Sequence, residues 1–270
     1  MKLSEIYQIA DKIAPVRLSL EYCQKYDAYD NSGILVDVGE NIKGILFSLD
    51  LNQSAIGKAL KVGANLIVTH HPAIYGKIGN VCEGDLLGNK LVKCIKNGIS
   101  VISMHLNLDC AEGGIDESLA YGILRSSGKT TGACMSLQAI MHPLSVGGYG
   151  RVYDLEEITL GALMENIKRE FSTERILTYG KGNSKVTRAA SFCGAGGDIE
   201  EVEFAKENGA QIIFSSDFKH HVITYALESG LSVMALTHYA SENYGFKNYY
   251  EKIRRQVAIP CVFHTDEDLL

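Results

Sequence analysis

A chain of 270 residues, 46% hydrophobic and 21% charged, has the composition of a folded globular protein and the length for one large or two medium domains. Its net charge of −6, with acids and bases interspersed, gives no electrostatic footprint for nucleic acid and disfavours that partner. No run reaches the roughly 18 apolar residues of a membrane span, and seven scattered cysteines without a Cys-x-x-Cys pair fit a reducing cytosol better than a disulfide framework.

In chain order, Leu3, Ile6, Ile9, Ala10 and Ile13 fall at helical spacing with charges between them, which predicts an amphipathic helix and not the apolar run of a signal peptide. A cytoplasmic protein is expected. An acid-rich loop, Tyr26 to Gly33, leads to the apolar Ile34-Leu35-Val36. A strand is predicted at Gly44 to Leu49, ending in Asp50, then a helix near Ser54 to Val62 and a strand at Leu66-Ile67-Val68. Short Val/Ile/Leu runs alternating with helical segments are the pattern of α/β units with buried strands. A different segment, about Ala133 to Val186, carries Val146-Gly147-Gly148-Tyr149-Gly150-Arg151-Val152-Tyr153, which reads as a glycine-bent strand, and a helix near Leu160 to Phe171. Ala189 to Cys193 then resumes an apolar strand pattern and runs into Gly194-Ala195-Gly196-Gly197-Asp198. That loop has neither the Lys of a P-loop nor the spacing of a dinucleotide fingerprint. It reads either as a tight turn feeding a helix or as a backbone cradle for an anionic group.

The chain repeats itself. Leu60-Lys61-Val62-Gly63-Ala64-Asn65-Leu66-Ile67-Val68-Thr69-His70-His71 is answered by Lys206-Glu207-Asn208-Gly209-Ala210-Gln211-Ile212-Ile213-Phe214-Ser215-Ser216-Asp217. Asn97-Gly98-Ile99-Ser100-Val101-Ile102-Ser103-Met104 leads to His105 and Asp109, and Ser229-Gly230-Leu231-Ser232-Val233-Met234-Ala235-Leu236 leads to His238 and Glu242. Gly63, Gly98, Gly209 and Gly230 stand where helix-terminating glycines are expected. The expectation is therefore an α/β fold of two related halves, 1–132 and 133–270, the second including the connecting segment 133–186, packed around a central dinuclear metal cleft.

Two consecutive imidazoles at a strand end, His70-His71-Pro72, stand where open α/β sheets bind ligands. His105-x-x-x-Asp109 and His238-x-x-x-Glu242 add a histidine and a carboxylate at a spacing that one helical turn or tight loop brings to one side. Neutral imidazole and carboxylate suit borderline divalent metals, and His70, His71, His105, Asp109, His238 and Glu242 are more donors than one open site needs. Two ions roughly 3.5–4 Å apart use them better. Asp217, His220 and His221 occupy the place of His70 and His71 in the second copy, either as a solvated loop or for acid–base or substrate contact.

These residues carry a resemblance. Thr69-His70-His71-Pro72, His105-Leu106-Asn107-Leu108-Asp109, Gly148-Tyr149-Gly150-Arg151, Ser215-Ser216-Asp217 with His221, and Thr237-His238 with Ser241-Glu242 resemble the successive motifs of the NIF-three-like family, also called GTP cyclohydrolase I type 2 homologues. Asp30-Asn31-Ser32-Gly33 is similar to the family's N-terminal Asp-Asn-x-Gly. The resemblance implies two divalent metal ions per chain (Zn, Fe, Mn, Co or Ni) held by His70, His71, Asp109, His238 and Glu242, with His105 and His221 lining the cleft as catalytic groups. It also implies a homohexamer and hydrolytic opening of the GTP imidazole ring. Three departures bear on substrate fit: no Trp precedes Asp30, Ser215-Ser216-Asp217 replaces Thr-Gly-Asp, and Thr237 replaces the Gly before the last histidine. The expected activity is that of a metal-dependent hydrolase on a small anionic substrate, a nucleotide by resemblance. A phosphoesterase and a non-catalytic metal-handling or regulatory protein are the alternatives.

Overall fold

The computed structural model describes residues 1–128 and 135–269. The chain divides into two compact units, Met1–Ala111 with Phe246–Asp266, and Glu112–Gly245 with Glu267–Leu270. The sequence-based division at 132/133 and Cys134 lie outside the described residues.

The first unit opens with helices α1 (Leu3–Ile13) and α2 (Val16–Tyr26), then strand β1 (Gly33–Val36). Three alternating pairs follow: β2 (Ile45–Ser48) with α3 (Gln53–Val62), β3 (Leu66–Thr69) with α4 (Leu86–Lys96), and β4 (Ser100–Ser103) with the single turn α5 (Leu106–Cys110). Strands β2, β3 and β4 are parallel, with Leu66 opposite both Ile45 and Ser100, while β1 runs antiparallel along β4. Every residue of β2, β3 and β4 is buried, which is why β2 and β3 each open with three consecutive apolar residues and β4 carries Val101-Ile102 at its centre. Helix α3 starts where the Asn52 side chain accepts from Ala55 N at 2.8 Å, and it stops at Gly63, whose φ of 72° suits a residue without Cβ. Between helix and sheet lies a core that includes Leu46, Ile56, Ala59, Ile67, Leu91 and Val101.

The second unit begins with α6 (Ile115–Ser126), β5 (Leu137–Pro143), the long bent β6 (Gly148–Thr159), α7 (Leu160–Phe171) and β7 (Ile176–Tyr179). It continues as β8 (Lys185–Ser191), α8 (Ile199–Glu207), β9 (Ile212–Ser215), α9 (His220–Glu228), β10 (Ser232–Leu236) and the first part of α10 (His238–Arg254), a helix whose residues from Phe246 onward belong to the first unit. Its strands are ordered β5-β6-β8-β9-β10-β7; β8, β9 and β10 are parallel, and β7 is antiparallel to β10. The succession of three parallel strands with an antiparallel neighbour beside the third is that of the first unit. Helix α8 also ends on a left-handed glycine, Gly209, at φ 73°, and Val152, Phe192, Val202, Ile213 and Val233 form part of this unit's core.

The first unit's sheet is completed from the far end of the chain. Strand β11 (Cys261–Phe263) pairs in parallel with β2, Val262 opposite Leu46, giving the order β1-β4-β3-β2-β11. Aromatic packing fixes it there: the rings of Phe47 and Tyr250, and of Tyr250 and Phe263, each lie 5.3 Å apart. Among the described residues no helix is long and apolar enough to cross a membrane, and none of the described cysteines forms a disulfide.

Candidate metal centre

In the first unit the site grows out of strand ends. Past Thr69, the last residue of β3, the amides of His70 and His71 both donate to Leu49 O, at 3.1 and 3.0 Å, so the pair leaves the sheet at its carboxyl edge. One strand along, β4 ends at Ser103 and α5 winds a single turn in which Asp109 N donates to His105 O at 2.9 Å. That turn brings His105 and Asp109 together with His70: one ligand atom from each lies within 4.8 Å of the other two. His71 stands close by, its ring centroid 4.9 Å from that of His70 and 6.0 Å from that of His105. His70 is fully buried and Asp109 nearly so.

Each of these imidazoles is held by the same atom. His70 Nδ1 donates to Met104 O at 2.7 Å, His71 Nδ1 to Asp50 Oδ1 at 2.7 Å, and His105 Nδ1 to Asp30 Oδ1 at 2.7 Å. In a neutral ring this puts the proton on Nδ1 and leaves the electron pair on Nε2, the tautomer of a histidine braced for a metal by its outer neighbours. His70 Nε2 lies 3.4 Å from Asp109 Oδ1. Two electron-pair donors facing each other are satisfied by a proton on the ring or by a metal ion, and a buried, braced imidazole beside a carboxylate is the donor set that divalent metals take.

Asp30 is the most firmly held of the braces. Besides His105 it accepts from Ser19 Oγ at 2.5 Å and from Ser32 Oγ at 2.6 Å. Burial works to raise its pKa, but these hydrogen bonds and the attraction of His105 outweigh it and hold the carboxyl well below the usual range. Burial likewise works to lower the pKa of His105. The hydrogen bond to Asp30 and the charges of Asp109 and Asp30 prevail, with His71 opposing, and the net shift is upward.

The second unit places its two candidates at the start of α10. His238 is the first residue of that helix and Glu242 lies one turn on, with His238 Nε2 3.1 Å from Glu242 Oε2. His238 Nδ1 donates to Asp217 Oδ2 at 2.6 Å. Glu242 is 3% exposed, a depth at which an ionised carboxylate needs a partner. His220 and His221 are exposed in the first turn of α9, where His221 adds to the effect of Lys219 in lowering the pKa of Asp198.

Sequence reasoning names the histidines and two carboxylates, and it misses what braces them. Asp50 and Met104 O act from strands adjacent to the one that carries their histidine, and Asp30 acts on His105 from 75 positions away. A signal for Asp50 does exist, since it ends β2 as His70 and His71 end β3.

Fold and site together define a two-sheet α/β protein with side-chain clusters able to hold a metal ion. Residues 1–268 match the family described as Duf34/NIF3 (NGG1p interacting factor 3), and the chain belongs to it. It is 32% identical over 244 residues to a "GTP cyclohydrolase 1 type 2 homolog" of Clostridium perfringens, covering 90% of this chain and 87% of that one. It is 24% identical over 242 residues to a "Protein NIF3 homolog" of Schizosaccharomyces pombe, covering 87% and 84%. Among solved structures, reduced HcgD from Methanocaldococcus jannaschii superposes with a TM-score of 0.77 at 26% identity over 97% of each chain. A Bacillus cereus protein related to NIF3 gives 0.77 at 20% identity over 98% of this chain and 97% of that one.

Proposed function

We propose that this protein binds two divalent metal ions through His70, His71, Asp109, His238 and Glu242, and acts as a metal-dependent hydrolase on a small anionic substrate. The observation that carries the reading is the shared bracing: His70, His71, His105 and His238 each donate Nδ1–H to an oxygen acceptor. Four imidazoles braced through the same nitrogen, with Nε2 of His70 and of His238 turned towards a carboxylate, support the reading of a metal centre. Bound ions of this kind supply Lewis-acid polarisation and an activated water. His105, held by Asp30, is the chain's own proton carrier, and His221 is the second candidate. The names borne by the relatives suggest a nucleotide as substrate and opening of the GTP imidazole ring as the reaction. A homohexamer built from two related halves per chain, resident in the cytoplasm, completes the proposal.

The test is elemental analysis of metal-reconstituted protein beside a screen of nucleotides and phosphoesters with and without chelator. Two equivalents of metal are expected, with loading lost in His71→Ala and Glu242→Ala and kept in His221→Ala, whose turnover should fall by about 10²–10⁴-fold. A stoichiometry that stays at one overturns the dinuclear reading, and metal uptake without chelator-sensitive turnover makes the protein a metal carrier.

A further inference from the structure

The Gly194–Asp198 loop, open in sequence between a tight turn and an anion cradle, has a definite job in the second unit. Both sides of Cys193 are clamped: its N–H donates to Asp116 Oδ1 at 3.1 Å, and its carbonyl accepts from Tyr149 Oη at 2.7 Å. The carbonyl of Gly194 accepts from Ser215 Oγ at 3.1 Å and from Ser216 N at 3.3 Å. Asp116 is itself fully buried, paired with the Arg151 guanidinium and accepting from Gly150 N at 3.1 Å. A two-residue stretch of backbone is thus fixed from α6, β6 and the end of β9.

That stiffness has a target. Gly194 sits at φ +60°, and a Cβ added there would run into Oε1 of Glu242 and lie 3.5 Å from both Cε1 and Nε2 of His238. One carboxylate oxygen of Glu242 therefore rests against the Gly194 backbone while the other lies beside His238 Nε2. A glutamate side chain has three rotatable torsions and wanders unless something solid stands behind it.

We propose that Gly194 is a positioning residue for the His238–Glu242 pair: its pinned, side-chain-free backbone is the wall that sets where the Glu242 carboxylate lies. The inference rests on the reading of His238 and Glu242 as metal ligands. It assigns the loop to holding a ligand instead of cradling an anion, and makes Asp116, Arg151 and Tyr149 the supports of that wall.

Zn²⁺ affinity, measured by competition with a fluorescent chelator, tests it together with thermal unfolding of the metal-free protein. Gly194→Ala should weaken Zn²⁺ binding by about 10–100-fold, the usual cost of disturbing the outer neighbours of a metal ligand. Gly230→Ala is the control for backbone strain, since Gly230 has φ +88° and nothing within 4 Å of an added Cβ. It should lower stability and leave the affinity unchanged. In a Glu242→Asp background the shorter side chain makes room for the new Cβ, and most of the Gly194→Ala effect should vanish. Tyr149→Phe, which frees the Cys193 carbonyl without adding an atom, should weaken binding in the same direction by a smaller factor, and it decides the matter if Gly194→Ala does not fold. Wild-type affinity in both Gly194→Ala and Tyr149→Phe, or effects of Gly194→Ala and Glu242→Asp that simply multiply, would overturn the proposal. A wild type that takes up no Zn²⁺ would overturn the metal reading instead.

Discussion

The two units use one frame for different work. In the first, strand β3 leads into two donors, His70 and His71; in the second, the matching strand β9 leads into Ser216 and Asp217, and Asp217 braces His238. Bracing follows the same rule in both: Asp50 at the end of β2 reaches His71 past the neighbouring β3, and Asp217 at the end of β9 reaches His238 past the neighbouring β10. The parallel frame decides which positions meet, because strand ends in one sheet stand about 4.8 Å apart. Residue identity then decides whether a position serves as donor or brace. Burial differs as well: the His70 side chain is completely enclosed, whereas that of His238 is 34% exposed.

The second unit also holds a buried ion pair, Arg151 with Asp116, for which the contact of Asp50 with His71 is a half-exposed counterpart. Asp116→Ala leaves the guanidinium enclosed, with Glu117 Oε2, at 4.0 Å, the remaining carboxylate paired with it among the described residues. A loss of about 3–5 kcal/mol in denaturant unfolding is expected. A loss below about 1 kcal/mol would place this pair with solvent-screened ones and break the contrast.

The likeness in bracing is sharpened by Asp50→Asn and Asp217→Asn, which keep size and remove charge. Each should weaken metal affinity by about 10–100-fold, read by chelator competition. If one variant binds as the wild type does and the other does not, the two units do not brace alike.

The smallest effect concerns β11, which only the first sheet acquires from the chain's end. His264 follows it, with Nε2 3.2 Å from Ser54 Oγ. Burial, aided by Lys58 and opposed by Asp266, lowers its pKa below 6.5. The neutral ring is therefore favoured in the folded state, and the unfolded chain takes up the proton first. Stability from this group is present above pH 6.5 and is lost as pH falls through the lowered value. Urea midpoints should decline less steeply in His264→Gln than in the wild type as pH falls from 6.5 to the lowered value, and parallel declines there would show that His264 stays solvated.

Much of this was written locally. Continuous apolar runs at 45–47, 66–68 and 212–214, and left-handed glycines at 63 and 209, specify strand and helix end from neighbours within a few positions. The His-x-x-x-carboxylate spacing likewise fixes a one-turn pairing, so His105 with Asp109 and His238 with Glu242 were legible before any fold was known. The repeat of the same pattern foretold two sheets built alike.

What only the tertiary structure decided is which distant residue stands beside each donor. That Asp30 holds His105, that Asp50 holds His71, that β11 rather than a local strand flanks β2, and that a glycine backs Glu242 all depend on strand order and on chain returning from 21 to more than 200 positions away. Periodicity carries the direction in which a side chain leaves its own element. It carries no record of the neighbour it will meet, because that contact is set by the packing of whole sheets and helices.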